Sequence, residues 1–540
     1  MALPTMLYGD GLQKSSQSGF GGLNHTPGAA DGEIWDMKNL TSDYAPLLAT
    51  RPKRFLYATI NEPGGIFGWH KLAWVSGDGF YYDGVRRGTV TTGEKTMVSL
   101  GAYILIFPDK AYYNTADESF ASLESKWEGT SLTFTNGIAF EEEGEANTIQ
   151  ADGVDWEDYF KAGDAVTISG CTKHPENNKT PIIREIDGDK LYFYEYVFML
   201  DGEEGTTPYT ETGELQLART VPDLDFLCEN ENRVWGCKGN SVYCCKLGDP
   251  FNWNDFDTPG TAAWAVDCGS AGEFTGCISY MGYPVFFKEN NIYKVYGTIS
   301  SNFQLMGSAT LGVAQGSAKS LAVAGEVLFY LSRSGIMAYQ GGVPQSVGLP
   351  LGLERYKNAV GGSDGLKYYV SMETEAGGRR LFVYDTQRGM WHAEDDFAAL
   401  NFVLQGDLYG LNEAGEIWMM GRPGDIETAQ GEETTVAWSA EFADETFASP
   451  DKKGITKLQI RLELAEGASV DAFLRYDSIG EWQKVATLPA GEKRSYVLPV
   501  VPRRADHFRL RLSGAGQCLV YSISREVYSG SELKSIAGRN

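Results

Sequence analysis

The sequence predicts an all-β protein: a β-propeller of about six to seven blades, a small β-barrel or sandwich inserted in it, and a C-terminal β-sandwich. Three observations carry this. One hairpin pattern is written seven times between Lys71 and Gly421. Its copies recur at about 31–51 residues where the repeat is uninterrupted, and a turn set inside a repeated two-strand unit is how stacked blades look in sequence. Aromatics at 12% and 64 glycines, without long runs of Leu, Ala, Glu and Lys, favour short strands and tight turns over helices.

Residues 1–65 have few periodic apolar positions and are rich in Gly, Ser, Asn and Pro, which predicts an extended arm. Only IWDMKNL (34–40) and YAPLLATRPKRFLY (44–57) have the apolar content to dock. The propeller is expected over 66–122 and 221–424. Its hairpins are KLAWVSGDGFYYDG (71–84), AYILIFPDKAYYNT (102–115), RVWGCKGNSVYCCK (233–246), YPVFFKENNIYKVYG (283–297), VLFYLSRSGIMAYQGG (327–342), KYYVSMETEAGGRRLFVYDT (367–386) and DLYGLNEAGEIWMMG (407–421).

The long gap after the second hairpin predicts a domain inserted over 123–220. Its strands are expected in SLTFTNGIAF (131–140), DAVTISGC (164–171), TPIIREID (180–187) and KLYFYEYVF (190–198), with turns at Asn136-Gly137 and Asp187-Gly188-Asp189. EEEGE (141–145) and DGEEGTTPYTETGE (201–214) read as solvated turns. LPLGLERYKNAV (349–360) is expected to supply a turn or two of helix. About seven alternating strands between 425 and 540 predict the C-terminal sandwich.

Tyr82, Tyr113, Tyr243, Tyr293, Tyr339 and Tyr384 recur after their turns, with Trp418 in the same place in the last copy. A flat side chain that buries about 150–250 Å² suits stacking of one blade on the next. The competing reading is a ring of sugar-stacking aromatics, but a ligand site usually breaks symmetry.

The charge balance is lopsided, 46 basic against 72 acidic residues, a net of −26. A protein gripping nucleic acid needs a basic surface, so phosphate-backbone binding is not expected. The acidity reads as solubility or as an electronegative channel through which a polyanion slides without sticking. MALPTMLYGD has neither a basic nor an apolar leader region, and the apolar stretches fall far short of the ~20 residues that cross a bilayer. Eight dilute cysteines predict buried free thiols and synthesis in a cytosol.

The search for chemistry returns little. SGFGGL (18–23) lacks phosphate-loop spacing, and no G-x-S-x-G or H-E-x-x-H occurs. CTKH (171–174) offers two zinc ligands without a second pair, and Cys237, Cys244 and Cys245 read as small packed side chains. EDD (394–396) is the best carboxylate cluster for glycoside hydrolysis, against the plainer reading of a solvated loop. SGDGFYYDG (76–84) has the wrong order for a sialidase aspartate box, and DGVDWED (152–158) the wrong spacing for a calcium loop. The sequons at Asn39 and Asn178 carry little without export. No catalytic residue, cofactor site or metal site is expected, and the chain is expected not to be an enzyme.

Several motifs together resemble a known family. GLNHTPGAADGEIWDMKNLTSDYAPLLATRP (22–52), with its Pro-Leu-Leu-x-x-Arg-Pro, resembles the entry of bacteriophage tail nozzle and packaged-DNA stabilisation proteins. NRVWGCKGNSVYCCKLGDPFNWNDF (232–256) is similar to their R-[VI]-W-x-x-x-G-x-x-[VI]-Y unit and G-D-P turn, and FFKENNIYKVYG (286–297) to the blade that follows. KAGDAVTISGCTKHPENNKTPIIREIDGDKLYFYE (161–195) resembles small β-barrels of phage tail components. The resemblance covers roughly residues 20–425 and implies a structural virion protein of the tail. In it copies of the chain, six in the family, form a ring or tube that retains packaged DNA and conducts it during ejection. It implies as partners the chain itself in a hexamer, portal or adaptor proteins, tail fibres or other tail proteins, and transient contact with DNA in the lumen, with no membrane. The alternatives are a glycan-binding or glycan-cleaving propeller with a lectin-like sandwich, and a propeller scaffold for protein partners.

Overall fold

The computed structural model describes residues 12–30, 32–135, 147–194, 198–202, 207–424, 426–447, 452–477, 480–501 and 503–529. The protein is all-β, and its helical turns are single turns of 3-10 helix. Among the described residues, seven antiparallel sheets are the blades of a β-propeller. The chain divides into two compact units, 61–318 and 1–60 with 319–540.

The unit at 61–318 holds four blades. Each of the first four sequence hairpins forms the middle pair of a four-stranded sheet. In the first blade Lys71–Ser76 pairs with Gly79–Tyr82, flanked by Pro63–Trp69 and Val85–Thr89. The same plan builds the sheets over 96–122, 226–267 and 276–309. The recurrent aromatic lands between blades: Tyr113, only 1% exposed, has its ring centroid 5.2 Å from that of Tyr82 and 5.6 Å from that of Phe80 in the preceding blade. Side chains of this size stabilise by area and by edge geometry.

The residues that resemble the phage motif build turns. Arg233 is buried and donates from Nη1 to the carbonyls of Cys245 and Ala262, both at 2.8 Å. Asp249 Oδ1 accepts from the Phe251 amide at 3.0 Å, and Trp253 Nε1 donates to the Pro250 carbonyl at 2.8 Å. Buried polar groups must find partners, and these residues satisfy the irregular chain after the third hairpin.

The inserted domain is a six-stranded sheet running from Ser125–Thr135 to Tyr209–Arg219 around its own core, which includes Trp127, Phe134, Trp156 and Leu217. The Asp187-Gly188-Asp189 turn joins Ile183–Asp187 to Lys190–Phe193. Asn136-Gly137 and EEEGE (141–145) lie outside the described residues. One expectation is corrected here: the second half of DGEEGTTPYTETGE is strand, not solvated turn. Glu211 is 2% exposed because its carboxylate accepts from the Thr172 hydroxyl at 3.1 Å and the Lys173 amide at 3.2 Å.

The second unit holds three blades and the sandwich. The blades run over 322–346, 356–393 and 399–419. The strand Phe55–Thr59, near the N-terminal end of the sequence, pairs with Glu416–Met419 and so completes the last blade. Gly415 (φ +83) shapes the turn that admits it, since a Cβ there would lie 2.1 Å from the Ile60 carbonyl oxygen. LPLGLERYKNAV departs from expectation: only Leu349–Leu351 is a 3-10 turn, and Tyr356–Ser363 is an edge strand. Residues read as an arm are woven in, with Leu12–Gln17, Ile34–Lys38, Leu40–Thr41 and Leu48–Thr50 all in the C-terminal sheet. That sheet has five strands from the C-terminal stretch where about seven were expected. Lys453–Tyr476 and Gln483–Leu498 each run through what reads as two strands, absorbing the turn residues as register shifts.

Candidate functional site

The second unit carries a polar cavity of about 310 Å³ beside its last blade. Its floor is an ion cluster built by the Arg-Pro-Lys-Arg entry to Phe55–Thr59. Arg51 grips Glu433 with two bonds, Nη1 to Oε2 at 2.6 Å and Nη2 to Oε1 at 3.0 Å, and its Nε donates to Asn39 Oδ1 at 2.8 Å. Arg54 holds Asp395 through Nη1 at 2.8 Å and Nη2 at 3.0 Å, and reaches Glu394 at 2.5 Å. Both guanidiniums are 4% exposed. Planar bidentate pairing of this kind is what arginine does better than lysine.

Electrostatics follow from that closeness. Burial by itself would raise the Asp395 carboxyl, but the neighbouring Arg54 charge holds it below the ordinary carboxylate range. Burial likewise would raise the Glu433 carboxyl, but the hydrogen bond from Arg51 outweighs it and holds the group low. Asp43 is held low against its burial by the ion pair with Lys367, and it also takes Arg422 Nε at 3.1 Å.

Above this floor stands Tyr369, whose hydroxyl donates to Asp364 Oδ2 at 3.3 Å. Its phenol is pushed well up, chiefly by burial and then by the charges of Glu394, Asp364 and Asp43. The charges of three carboxylates therefore act on one hydroxyl, with Asp364 bonded to it. Asp364 is placed by its own turn, Oδ1 accepting from the Leu366 and Lys367 amides at 2.9 and 2.7 Å. Asp407 also lines the cavity and accepts from the Gly424 amide at 2.8 Å. Leu366, Leu404, Leu408 and Met420 supply an apolar wall. His392, two residues before Glu394 in the chain, is buried and has its imidazole lowered to about 4, first by burial and then by the Lys367 charge, so it is neutral at physiological pH.

The sequence candidates fall as follows. EDD is split: Glu394 and Asp395 belong to the ion cluster and Glu394 lines the cavity, while Asp396 is exposed. The solvated-loop reading is corrected for the first two, because the arginines that pair with them lie some 340 residues away in sequence. Neither Cys171 nor His174 joins a group of three metal ligands among the described residues. His174 Nε2 meets Asp201 at 2.9 Å, and the Cys171 thiol is pushed up to about 11 by burial. Asn178 spends its amide on the Cys171 backbone and Asn39 on Arg51 and the Ala437 carbonyl. All eight cysteines are free thiols; burial raises Cys244 to about 12 and Cys245 further. Among the described residues one group could offer three metal ligands: Asp477, Asp506 and His507, which the sequence reading missed. Asp506 and His507 are already bonded to each other at 2.6 Å; Asp506 is exposed and the other two are half-buried.

Sequence reasoning also missed the cavity, whose lining comes from five separated stretches of chain. The one legible signal was the Arg pair in a segment otherwise poor in charge.

No protein-family model matches the chain, and no curated protein matches it. Among solved structures it is similar to an exo-β-1,3-galactanase from Phanerochaete chrysosporium bound to β-1,3-galactotriose, at 9% identity over 55% of this chain and 93% of that one, with a TM-score of 0.22. An engineered family 43 glycoside hydrolase with endo-xylanase and exo-arabinofuranosidase activity is 10% identical over 57% and 97% of the two chains, TM-score 0.21. Trypanosoma rangeli sialidase is 10% identical over 91% and 94%, TM-score 0.21. The expectation that the chain is not an enzyme is corrected at this point, since these similar structures are glycoside hydrolases and a sialidase. The reasoning behind it was weak on physical grounds too: a carboxylate pair that cleaves a glycosidic bond needs no linear motif. At such TM-scores the likeness assigns neither residues nor substrate.

Proposed function

We propose that the chain is a glycan-engaging β-propeller, with the cavity beside the last blade as its binding site. The single observation that carries this is the make-up of that cavity. Arg51, Arg54, Lys367 and Arg422 are balanced there by Asp43, Asp364, Glu394 and Asp407, next to a leucine and methionine wall. Balanced charge suits a neutral ligand rich in hydroxyls, which can donate to fixed carboxylates and accept from guanidiniums while laying its C–H face on the apolar side. An ionic ligand would have to break existing pairs. Whether the bound glycan is also cleaved is read from the same experiment.

The test presents the full chain with a panel of neutral oligosaccharides, following binding by calorimetry and bond cleavage by release of reducing ends. The expected result is binding that Asp364→Asn weakens at least tenfold. Failure of every sugar to bind, or binding indifferent to Asp364→Asn, refutes the assignment.

A second reading is a bacteriophage tail component, a hexameric ring of the virion that retains DNA and passes it during ejection. It is supported by the resemblance of 22–52 and 232–256 to tail nozzle proteins and by the net charge of −26, which would keep DNA from sticking. Light scattering and negative-stain imaging of the purified chain test it: rings with a central hole support it, and a monodisperse monomer at high concentration rejects it.

A further inference from the structure

We propose that the ligand of this cavity is a polymer of several sugar units that runs past Arg422 onto the C-terminal sandwich. The inference rests on the glycan reading and adds the substrate's length and path.

A second cavity of about 100 Å³ adjoins the first, and Pro52 and Arg422 border both. Arg422 stands on the boundary. Its guanidinium lies 4.6 Å from the Tyr44 ring centroid, its Nε pairs with Asp43 at 3.1 Å, and its side chain is 51% exposed. A ligand can therefore lie across it without displacing a buried charge. The far side of the second cavity is made by sandwich residues, among them Glu463 and Gln517. Glu463 is held by the Tyr521 hydroxyl, Oη to Oε2 at 2.9 Å, which orients the carboxylate at the cavity's edge. Gln517 is exposed and lies where the chain turns into Cys518–Ser529.

The chemistry runs in sequence along this path: carboxylates and a phenol in the first cavity, a guanidinium at the boundary, then a carboxylate and an amide. Hydroxyl-bearing units repeated along a chain match such a row. A single sugar fills only the first cavity, and each added unit that reaches a further fixed polar group adds affinity without a new loss of translational freedom.

The experiment titrates the full chain with β-1,4-linked glucose, xylose and N-acetylglucosamine and α-1,4-linked glucose, each from one to six units. For the series that binds, affinity is expected to rise at least tenfold from one unit to the longest oligomer. In Gln517→Ala and Glu463→Ala the ratio of longest-oligomer to monosaccharide affinity is expected to fall at least threefold, with thermal melts confirming that both variants fold. Length-independent affinity, or a ratio that keeps its wild-type value in both variants, overturns the extended path while leaving the glycan assignment standing. No binding by any series removes both.

Discussion

The ion cluster at the entry to the last blade gives the sharpest stability prediction. Arg54→Ala removes a guanidinium that makes three short contacts, two to Asp395 at 2.8 and 3.0 Å and one to Glu394 at 2.5 Å. It leaves two carboxylates, 8% and 15% exposed, without their main partner. Breaking one side of a buried pair costs about 3–5 kcal/mol, because the remaining charge stays desolvated. Arg51 remains within 3.2 Å of Asp395 and 3.6 Å of Glu394, which offsets part of the loss and argues for the lower end, about 3 kcal/mol. For a unit of this size that is roughly 6–9 °C in its melting transition.

The pH dependence has a definite sign. Asp395 and Glu433 are held below their ordinary values in the folded protein, so their contribution is present above the usual carboxylate range and is lost as pH falls through the depressed values. In Arg54→Ala, acid protonates the stranded carboxylates and relieves their cost. The gap between variant and wild type should be widest near pH 7 and close below about pH 4. Calorimetric melts at pH 7 and pH 3.5 check both points, with Arg54→Ala/Glu394→Gln/Asp395→Asn as the control expected to recover much of the loss. A variant within about 0.5 kcal/mol of wild type at pH 7, or a gap that grows in acid, refutes the reasoning.

Three further predictions follow from packing. Tyr113→Ala should destabilise the 61–318 unit by about 3–5 kcal/mol, seen in urea melts, because the lost ring leaves Tyr82 and Phe80 facing a cavity. Gly415→Ala combines a left-handed residue with a Cβ 2.1 Å from the Ile60 carbonyl oxygen, so it should loosen the pairing of Phe55–Thr59; hydrogen exchange of the Ile60 amide, bonded to Gly415 at 2.8 Å, should speed up at least tenfold. Cys244 and Cys518, both raised to about 12 by burial, should resist a thiol reagent at pH 8 in the folded protein and react within minutes in denaturant.

Much of the fold was legible because a blade is a local object. A hairpin such as KLAWVSGDGFYYDG carries its strand alternation, its turn and its stacking aromatic within fourteen residues, and nothing distant is needed to recognise it. The outer strands were harder. Phe55–Thr59 belongs to the last blade, yet its pairing partner lies more than 350 residues downstream and no local pattern announces it. The same distance hid the site. EDD read as a solvated loop because the two arginines that desolvate and pair it sit in a segment that itself reads as an arm. The long sandwich strands were cut in two for the opposite reason: Glu466-Gly467 is a good local turn signal, and Gly467 is left-handed (φ +77), but the step is a bulge, because Gln483–Leu498 pairs with the strand on both sides of it, at Leu464↔Gly491 and Ser469↔Pro489.

What the order of residues settled alone is the repeated unit, the class of secondary structure and the place of the insertion, all governed by interactions between neighbours in the chain. What needed the tertiary structure is every charge pair of the cavity and the strand that completes the last blade. Those depend on which distant segments share a desolvated space, and burial, not composition, decides whether an acidic run is a wet loop or the counter-charge of two arginines.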